Sequence, residues 1–290
     1  MICFYHNDMD GKCAAAIVHC ANKNKKIEFY EINYGMDFPW SKIDNQDVVM
    51  VDFTLQPYAE MENLQKRSKS LIWIDHHKSA IETVEELGLD IPGLQVINGG
   101  AGCELAWEYY FPGEPIPKAI QYIGDYDTWK FAFGEKTKQF QSGIQLQDTR
   151  PTSKLWYFLF DDIAAKESMI SIIKDGDTIN MYKNSFNKKA CNQLAFEVEL
   201  EGLKGIGCNI YSGSTVFDSI PNLYEVYDFA STFTYNGKTW TVSLYTERKD
   251  LDVSEIAKKY GGGGHKGAAG FQCEELPFKN RRKYESQNRD

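Results

Sequence analysis

Three short apolar runs in the first 77 residues each end in acidic or imidazole side chains. ICFY (2–5) leads into His6, Asp8 and Asp10; VVMVDF (48–53) carries Asp52; SLIWIDHH (70–77) closes on Asp75, His76 and His77. Continuous apolar runs this short, bounded by polar residues, suit strands buried on both faces. Helical patterns lie around them: GKCAAAIVHCA (11–21), PYAEMENLQKR (57–67) with Pro57 in its first turn, GCELAWEYYF (102–111) and PKAIQYIGDYD (117–127). Strands alternating with helices predict an α/β domain built on a parallel sheet covered on both sides.

The pattern changes further along. Residues 150–190 read as helical without strand signals, and from 196 onward β-rich runs return, two of them flanking Asn236-Gly237, a hairpin signal. Residues 253–271 read as helix, glycine loop and strand. The expected organisation is an N-terminal domain over 1–148, a helical connector over 149–192, a smaller α/β domain with a mixed sheet over 193–275, and a polar, frayed tail over 276–290.

Composition narrows the function classes. A net charge of −9 argues against a protein that wraps long duplex nucleic acid by charge, and leaves room for a small anionic substrate held through metal ions. Seven cysteines without a CxxC pair read as reduced thiols. With neither a basic, apolar leader nor a membrane-length apolar run, the expected location is the cytoplasm, with no membrane partner.

The carboxyl ends of strands border the ligand crevice in an open α/β sheet. The three decorated ends should therefore converge, and so many carboxylates without a cation would repel one another. Mixed imidazole and carboxylate ligands suit Mn, Fe, Zn or Co, and four or more carboxylates suggest two ions. Such pairs, about 3.5–4 Å apart, typically serve phosphoryl transfer. A single strand-end aspartate is ordinarily a helix cap or turn residue. Neighbouring strand-end side chains point to opposite sides, so His76 and His77 cannot both be core residues. The glycine in HNDMDG has a reading of its own: it lets the helix begin at once and holds Asp8 and Asp10 at the sheet edge.

These motifs resemble those of the DHH phosphoesterase superfamily. IDHHKSA is similar to its signature, HNDMDG to its first motif, VDFT to its second and GDYDTW to its fourth; GGGGHKGAAGF resembles the glycine-rich motif of the DHH-associated C-terminal domain. The motifs run in family order over residues 6 to 271. The resemblance implies a catalytic metal-binding N-terminal domain, a substrate-binding C-terminal domain and two divalent ions, usually Mn2+. His6 and Asp8 would hold one ion, Asp10 and His76 the other; Asp52 would bridge them and Asp125 would complete the set, with Asp127 behind it. Asp75 and His77 would orient ligands and touch the substrate phosphate.

The resemblance also assigns the glycine loop. Gly262, Gly263, Gly264 and His265 would contact the substrate's phosphate or terminal nucleotide, with exposed backbone N–H groups suited to an anion, and Arg248 would grip a phosphate through two hydrogen bonds. Trp73, Trp107, Trp129 and Trp156 fall in apolar segments and read mostly as core, while Tyr126 and Trp129 could stack on a base. The implied activity is Mn-dependent hydrolysis of short oligonucleotides, dinucleotides or pAp-like nucleotides, with a second copy of the chain as a candidate partner. A RecJ-like single-strand exonuclease and a catalytically inactive nucleotide sensor remain the alternatives.

Overall fold

The structure, a computed structural model, describes residues 1–283. The described residues divide into two compact units, 1–180 and 181–283.

The first unit is an α/β domain. In chain order it holds β1 (Ile2–His6), α1 (Met9–Ala21), β2 (Glu28–Ile32), β3 (Asp47–Val51), α2 (Glu60–Arg67), β4 (Ser70–Asp75), α3 (Lys78–Glu86), β5 (Gly93–Gln95), α4 (Gly102–Tyr110), α5 (Lys118–Asp127), α6 (Glu135–Ile144), α7 (Lys154–Leu159) and α8 (Lys166–Leu194), inside which the division falls. The sheet is wholly parallel in the order β2-β1-β3-β4-β5. Alternation within β1 explains its continuous apolar sequence: Cys3 and Tyr5 join one core with α1, α4 and α5, while Ile2 and Phe4 join another with α2 and α3. Ala14, Ala15 and Ala16 of α1 are all buried, letting its backbone lie close to the sheet.

The three apolar runs form β1, β3 and β4 as expected. Sequence reading passed over two strands. In β2 only Ile32 is fully buried, as suits an edge strand with a weak apolar signal, and β5 is three residues long. α2 begins at Glu60, so Pro57 precedes the helix instead of opening it.

The second unit contains β6 (Ala195–Leu200), β7 (Leu203–Asn209), α9 (Leu223–Val226), β8 (Phe229–Tyr235), β9 (Trp240–Tyr245), α10 (Val253–Lys259), β10 (Gly263–His265), β11 (Ala268–Cys273) and β12 (Lys279–Lys283). Its seven-stranded sheet is mixed, with β7 and β8 parallel and the other neighbours antiparallel. Asn236-Gly237 does sit in the β8–β9 hairpin, in a four-residue loop where Asn236 Oδ1 accepts from the N–H groups of Lys238 and Thr239. Part of the segment read as a frayed tail, Lys279–Lys283, is an edge strand on β6. The reason lies just before it: Phe278 is buried, its ring 5.3 Å from that of Phe233, and this anchors the chain for pairing. Residues 284–290 of that tail lie outside the described residues.

Candidate metal centre

The parallel sheet reverses its direction of winding beside β1: the chain moves to β2 on one side and returns to β3 on the other. Such switch points leave a crevice at the carboxyl ends of the strands. His6 ends β1, Asp52 follows β3, and Asp75 ends β4 with His76 and His77 after it.

Asp8 caps a helix and also faces His6. It caps α1, its Oδ1 accepting from Gly11 N–H at 2.9 Å, while its Oδ2 lies 2.6 Å from His6 Nδ1. That close approach lacks hydrogen-bond alignment, since His6 Nδ1 has no hydrogen-bond partner among the described residues. Burial works against charge on both groups, yet their proximity raises the His6 pKa and, with the Gly11 N–H, lowers that of Asp8.

Asp52 is fully buried, with backbone φ of +53°, uncommon for a residue with a side chain. Its Oδ1 lies 3.2 Å from His76 Nε2 and its Oδ2 3.8 Å from His6 Nδ1. Oδ2 has no hydrogen-bond partner among the described residues. Burial, then repulsion from Asp10 and Asp8, pushes its pKa well up. A buried carboxylate oxygen with nothing to bond, set in this field, marks where a cation would sit.

Asp10 is held by the N-terminus of α4: its Oδ2 accepts from Gly102 N–H at 2.7 Å and its Oδ1 from Cys103 N–H at 2.8 Å. Each oxygen keeps a further lone pair, and Oδ2 lies 3.7 Å from His76 Nε2. The approach of α4 requires a glycine: a Cβ on Gly102 would lie 2.7 Å from Asp52 Cβ and 2.9 Å from Asp10 Oδ2. Gly11 has a similar purpose, because a Cβ there would lie 2.3 Å from the His6 carbonyl oxygen. It lets α1 pass tightly against the end of β1.

In the fourth motif the structure brings Asp127, and not Asp125, beside Asp10 and His76. Asp125 is spent on a loop: its carboxylate accepts from Ala132 N–H at 2.7 Å, Phe133 N–H at 3.3 Å and the Thr137 hydroxyl. These donors overcome burial and hold its pKa low. Asp127, two residues on, lies 3.5 Å from His76 Nε2, and its pKa is pushed up to about 8 by burial and by Asp10 and Asp8. One helical step of two residues turns the side chain about 200° around α5, and sequence spacing alone left that choice open.

Asp75 lies behind His77. Its Oδ1 accepts from the His76 and His77 N–H groups at 2.7 and 3.0 Å and sits 2.7 Å from His77 Nδ1. Its Oδ2 accepts from the Thr54 hydroxyl at 2.5 Å and from Trp73 Nε1 at 3.3 Å. Although burial opposes it, this set keeps Asp75 low and raises His77. Burial lowers His76, which favours the neutral ring with one nitrogen left as an electron-pair donor. Sequence reading missed Thr54, although it stands within VDFT, and the two N–H groups of α4, which leave no side-chain signal.

The donor atoms fall into three sets, each within 4.8 Å: His6, Asp8 and Asp52; Asp10, His76 and Asp127; Asp52, His76 and His77. Asp52 belongs to the first and third sets, and its Oδ1 lies 3.2 Å from His76 Nε2, a member of the second. The chemistry of these sets, imidazole with carboxylate around orphaned buried atoms, fits two divalent ions.

In the second unit the proposed substrate residues are engaged in other ways. Arg248 donates to Asp250 at 3.1 and 2.7 Å and to Asp228 at 2.5 Å. Gly263, Gly264 and His265 form β10 instead of a loop, antiparallel to β11. The glycines serve that close pairing: a Cβ on Gly262 would lie 2.1 Å from the Gly270 carbonyl oxygen, and one on Gly264 would lie 2.6 Å from Ala269 Cα. His265 is exposed. Among the tryptophans read mostly as core, Trp73, Trp107 and Trp156 are buried, whereas Trp129 is 73% exposed, its ring 6.2 Å from that of Tyr126.

Comparison with known proteins finds likeness over the N-terminal part of the chain and in the fold. Residues 1–123 match the family described as "DHH family, N-terminal domain". An uncharacterized protein of Acanthamoeba polyphaga mimivirus is 29% identical over 249 residues, covering 82% of this chain and 56% of the relative. The chain thus spans about half the length of the curated relative it matches. Among solved structures, the pGpG-specific phosphodiesterase PggH from Vibrio cholerae aligns with 94% of this chain and 93% of its own, at 12% identity and a TM-score of 0.54. Exonuclease RecJ bound to manganese aligns with 93% of this chain and 84% of its own, at 16% identity and a TM-score of 0.52. At such identities these two likenesses speak for the fold.

Proposed function

The chain belongs to the DHH phosphoesterase superfamily through its N-terminal domain, and on that premise we propose that it is a Mn-dependent phosphoesterase acting on dinucleotides, short oligonucleotides or pAp-like nucleotides. The observation that carries this reading is Asp52, whose two oxygens face His6 and His76 from a buried position with Oδ2 unpartnered among the described residues. Divalent ions held by His6, Asp8 and Asp52 and by Asp10, His76 and Asp127 would polarise the phosphate and acidify a water.

The chain's own residues set up the rest. Asp75, fixed by Thr54 and two backbone N–H groups, holds the proton of His77 on Nδ1. Nε2 is then the free ring atom, and the raised pKa lets it carry a proton. His77 would donate that proton to the leaving oxygen as the P–O bond breaks, while the attacking water forms the new bond to phosphorus and gives up a proton to solvent. Asp75 is a positioning residue in this scheme. Arg248 and the Gly262–His265 segment are kept as proposed substrate contacts; for Arg248 this means exchanging an aspartate for a phosphate.

The test is hydrolysis of dinucleotides by purified protein with manganese, set against Asp52→Ala and Asp75→Ala. The reading expects both variants to lose activity; equal activity in all three would overturn it. Comparing two-nucleotide with thirty-nucleotide strands separates this reading from the exonuclease reading, for which the acidic charge is a poor fit. Tight dinucleotide binding without turnover at any manganese concentration would favour the sensor.

A further inference from the structure

A cavity beside the candidate centre has walls of Tyr34, Phe38, Phe53 and Leu55, with Asn33, Asp37 and Gln56 also in its lining. It adjoins the centre directly. The His6 ring lies 5.9 Å from the Tyr34 ring and 6.0 Å from the Phe53 ring. Phe53 is buried, and Tyr34 leans on it at 4.8 Å with 33° between ring planes, yet Tyr34 remains 43% exposed. A large aromatic ring is thus backed from within and kept partly in water. Its backbone is fixed as well: Tyr34 N–H donates to Asn33 Oδ1 at 2.8 Å, and the turn closes from Met36 N–H to the Asn33 carbonyl at 3.2 Å. Gln56 Nε2 reaches Tyr58 Oη at 3.4 Å, and Tyr58 Oη lies 3.4 Å from Ser79 at the start of α3.

We infer that this cavity receives the nucleobase of a nucleotide whose phosphate lies at the metal centre. The inference rests on the proposed hydrolase reading and narrows its substrate to one carrying a base next to the reacting phosphate. A planar ring has an aromatic face to stack on, and stacking tolerates any base because every base has a π-face. The side-chain amides in the lining offer both donor and acceptor to a base edge. A bare polyphosphate fits poorly. It offers nothing to the apolar walls, and Asp37 would repel a further anionic group there.

Binding of adenosine 5′-monophosphate and of ribose 5-phosphate to the manganese-loaded 290-residue chain tests this by calorimetry. The two probes share the phosphate and sugar and differ in the base. Wild type should prefer the nucleotide by about tenfold or more. Tyr34→Ala should bring the two affinities to within about twofold of each other, and Tyr34→Phe should keep the preference. Melting curves of each variant check that the fold persists. Equal affinities in the wild type, or a preference that survives Tyr34→Ala, would overturn the inference. Absence of dinucleotide hydrolysis alongside an intact, Tyr34-dependent preference would defeat the hydrolase reading and leave the base site standing.

Discussion

Asp125 and Asp127 stand two residues apart on one helix, and their exchange of roles gives opposite consequences for two substitutions. Asp125→Ala removes the acceptor for two backbone N–H groups and for the buried Thr137 hydroxyl. Hydrogen bonds to a charged group contribute about 1.5–3 kcal/mol each, and a stranded buried donor adds its own cost. Because the three share one carboxylate and one loop, a total of about 3 kcal/mol is expected, lowering the melting temperature on the order of 10 °C. Asp127→Asn should do the reverse in metal-free protein. The Asp127 carboxyl is pushed from 3.8 up to about 8. A raised acid weakens the folded state as pH rises, because the unfolded chain releases its proton near 4 and the folded chain holds it until about 8. At pH 7 that penalty is on the order of 4 kcal/mol, fully developed only above pH 8 and absent below pH 4. The asparagine variant should therefore melt higher than wild type in EDTA at pH 7, and the gap should close as pH falls toward 4. Added manganese should stabilise wild type and Asp125→Ala fully and Asp127→Asn less, since that substitution changes the Asp10–His76–Asp127 set and leaves His6, Asp8 and Asp52 in place. Thermal melts of the three proteins, with EDTA and with manganese at pH 5 and pH 7, decide the matter. A destabilised Asp127→Asn that keeps its full manganese response, beside an Asp125→Ala that loses it, would refute the reassignment.

Three further predictions follow from the same geometry. Gly102→Ala places a methyl against Asp52 and Asp10 and should weaken manganese affinity at least about tenfold while the protein stays folded, as read by metal titration beside circular dichroism. Thr54→Val removes the hydroxyl donor to Asp75, so the Asp75 pKa rises and the acid limb of the activity–pH profile should move to higher pH; an unmoved limb contradicts the positioning role. Phe278→Ala opens the core beneath β12 and should cost about 3–4 kcal/mol in denaturant melts of the full chain.

What could be read from the sequence depended on whether a residue announced its own environment. The strands β1, β3 and β4 did so, because burial on both faces demands continuous apolar side chains. Their decorated ends did so jointly, since His6, Asp52 and His76 make sense only together. Asp127 did not: both aspartates follow the same apolar turn, and only the path of the loop to Thr137 shows which one is taken. Nor could the grip on Asp10 be read, since Gly102 and Cys103 contribute backbone N–H groups that every residue possesses. The glycine run was expected as a loop, and residues 263–265 form a strand for a physical reason. Glycine permits both a loop that cradles an anion and two backbones paired too closely for a Cβ, and here the second is found. The polar end concealed β12 because one buried ring, Phe278, supplies the anchor that its charged neighbours do not.

The number of manganese ions bound per chain, with Asp52→Asn alongside the wild type, tests the central claim most directly. The account predicts two for the wild type and a loss of affinity for both when Asp52, which faces His6 and His76 through separate oxygens, becomes an amide. A wild type that binds no manganese, or an Asp52→Asn variant that still binds two ions as tightly, would contradict it.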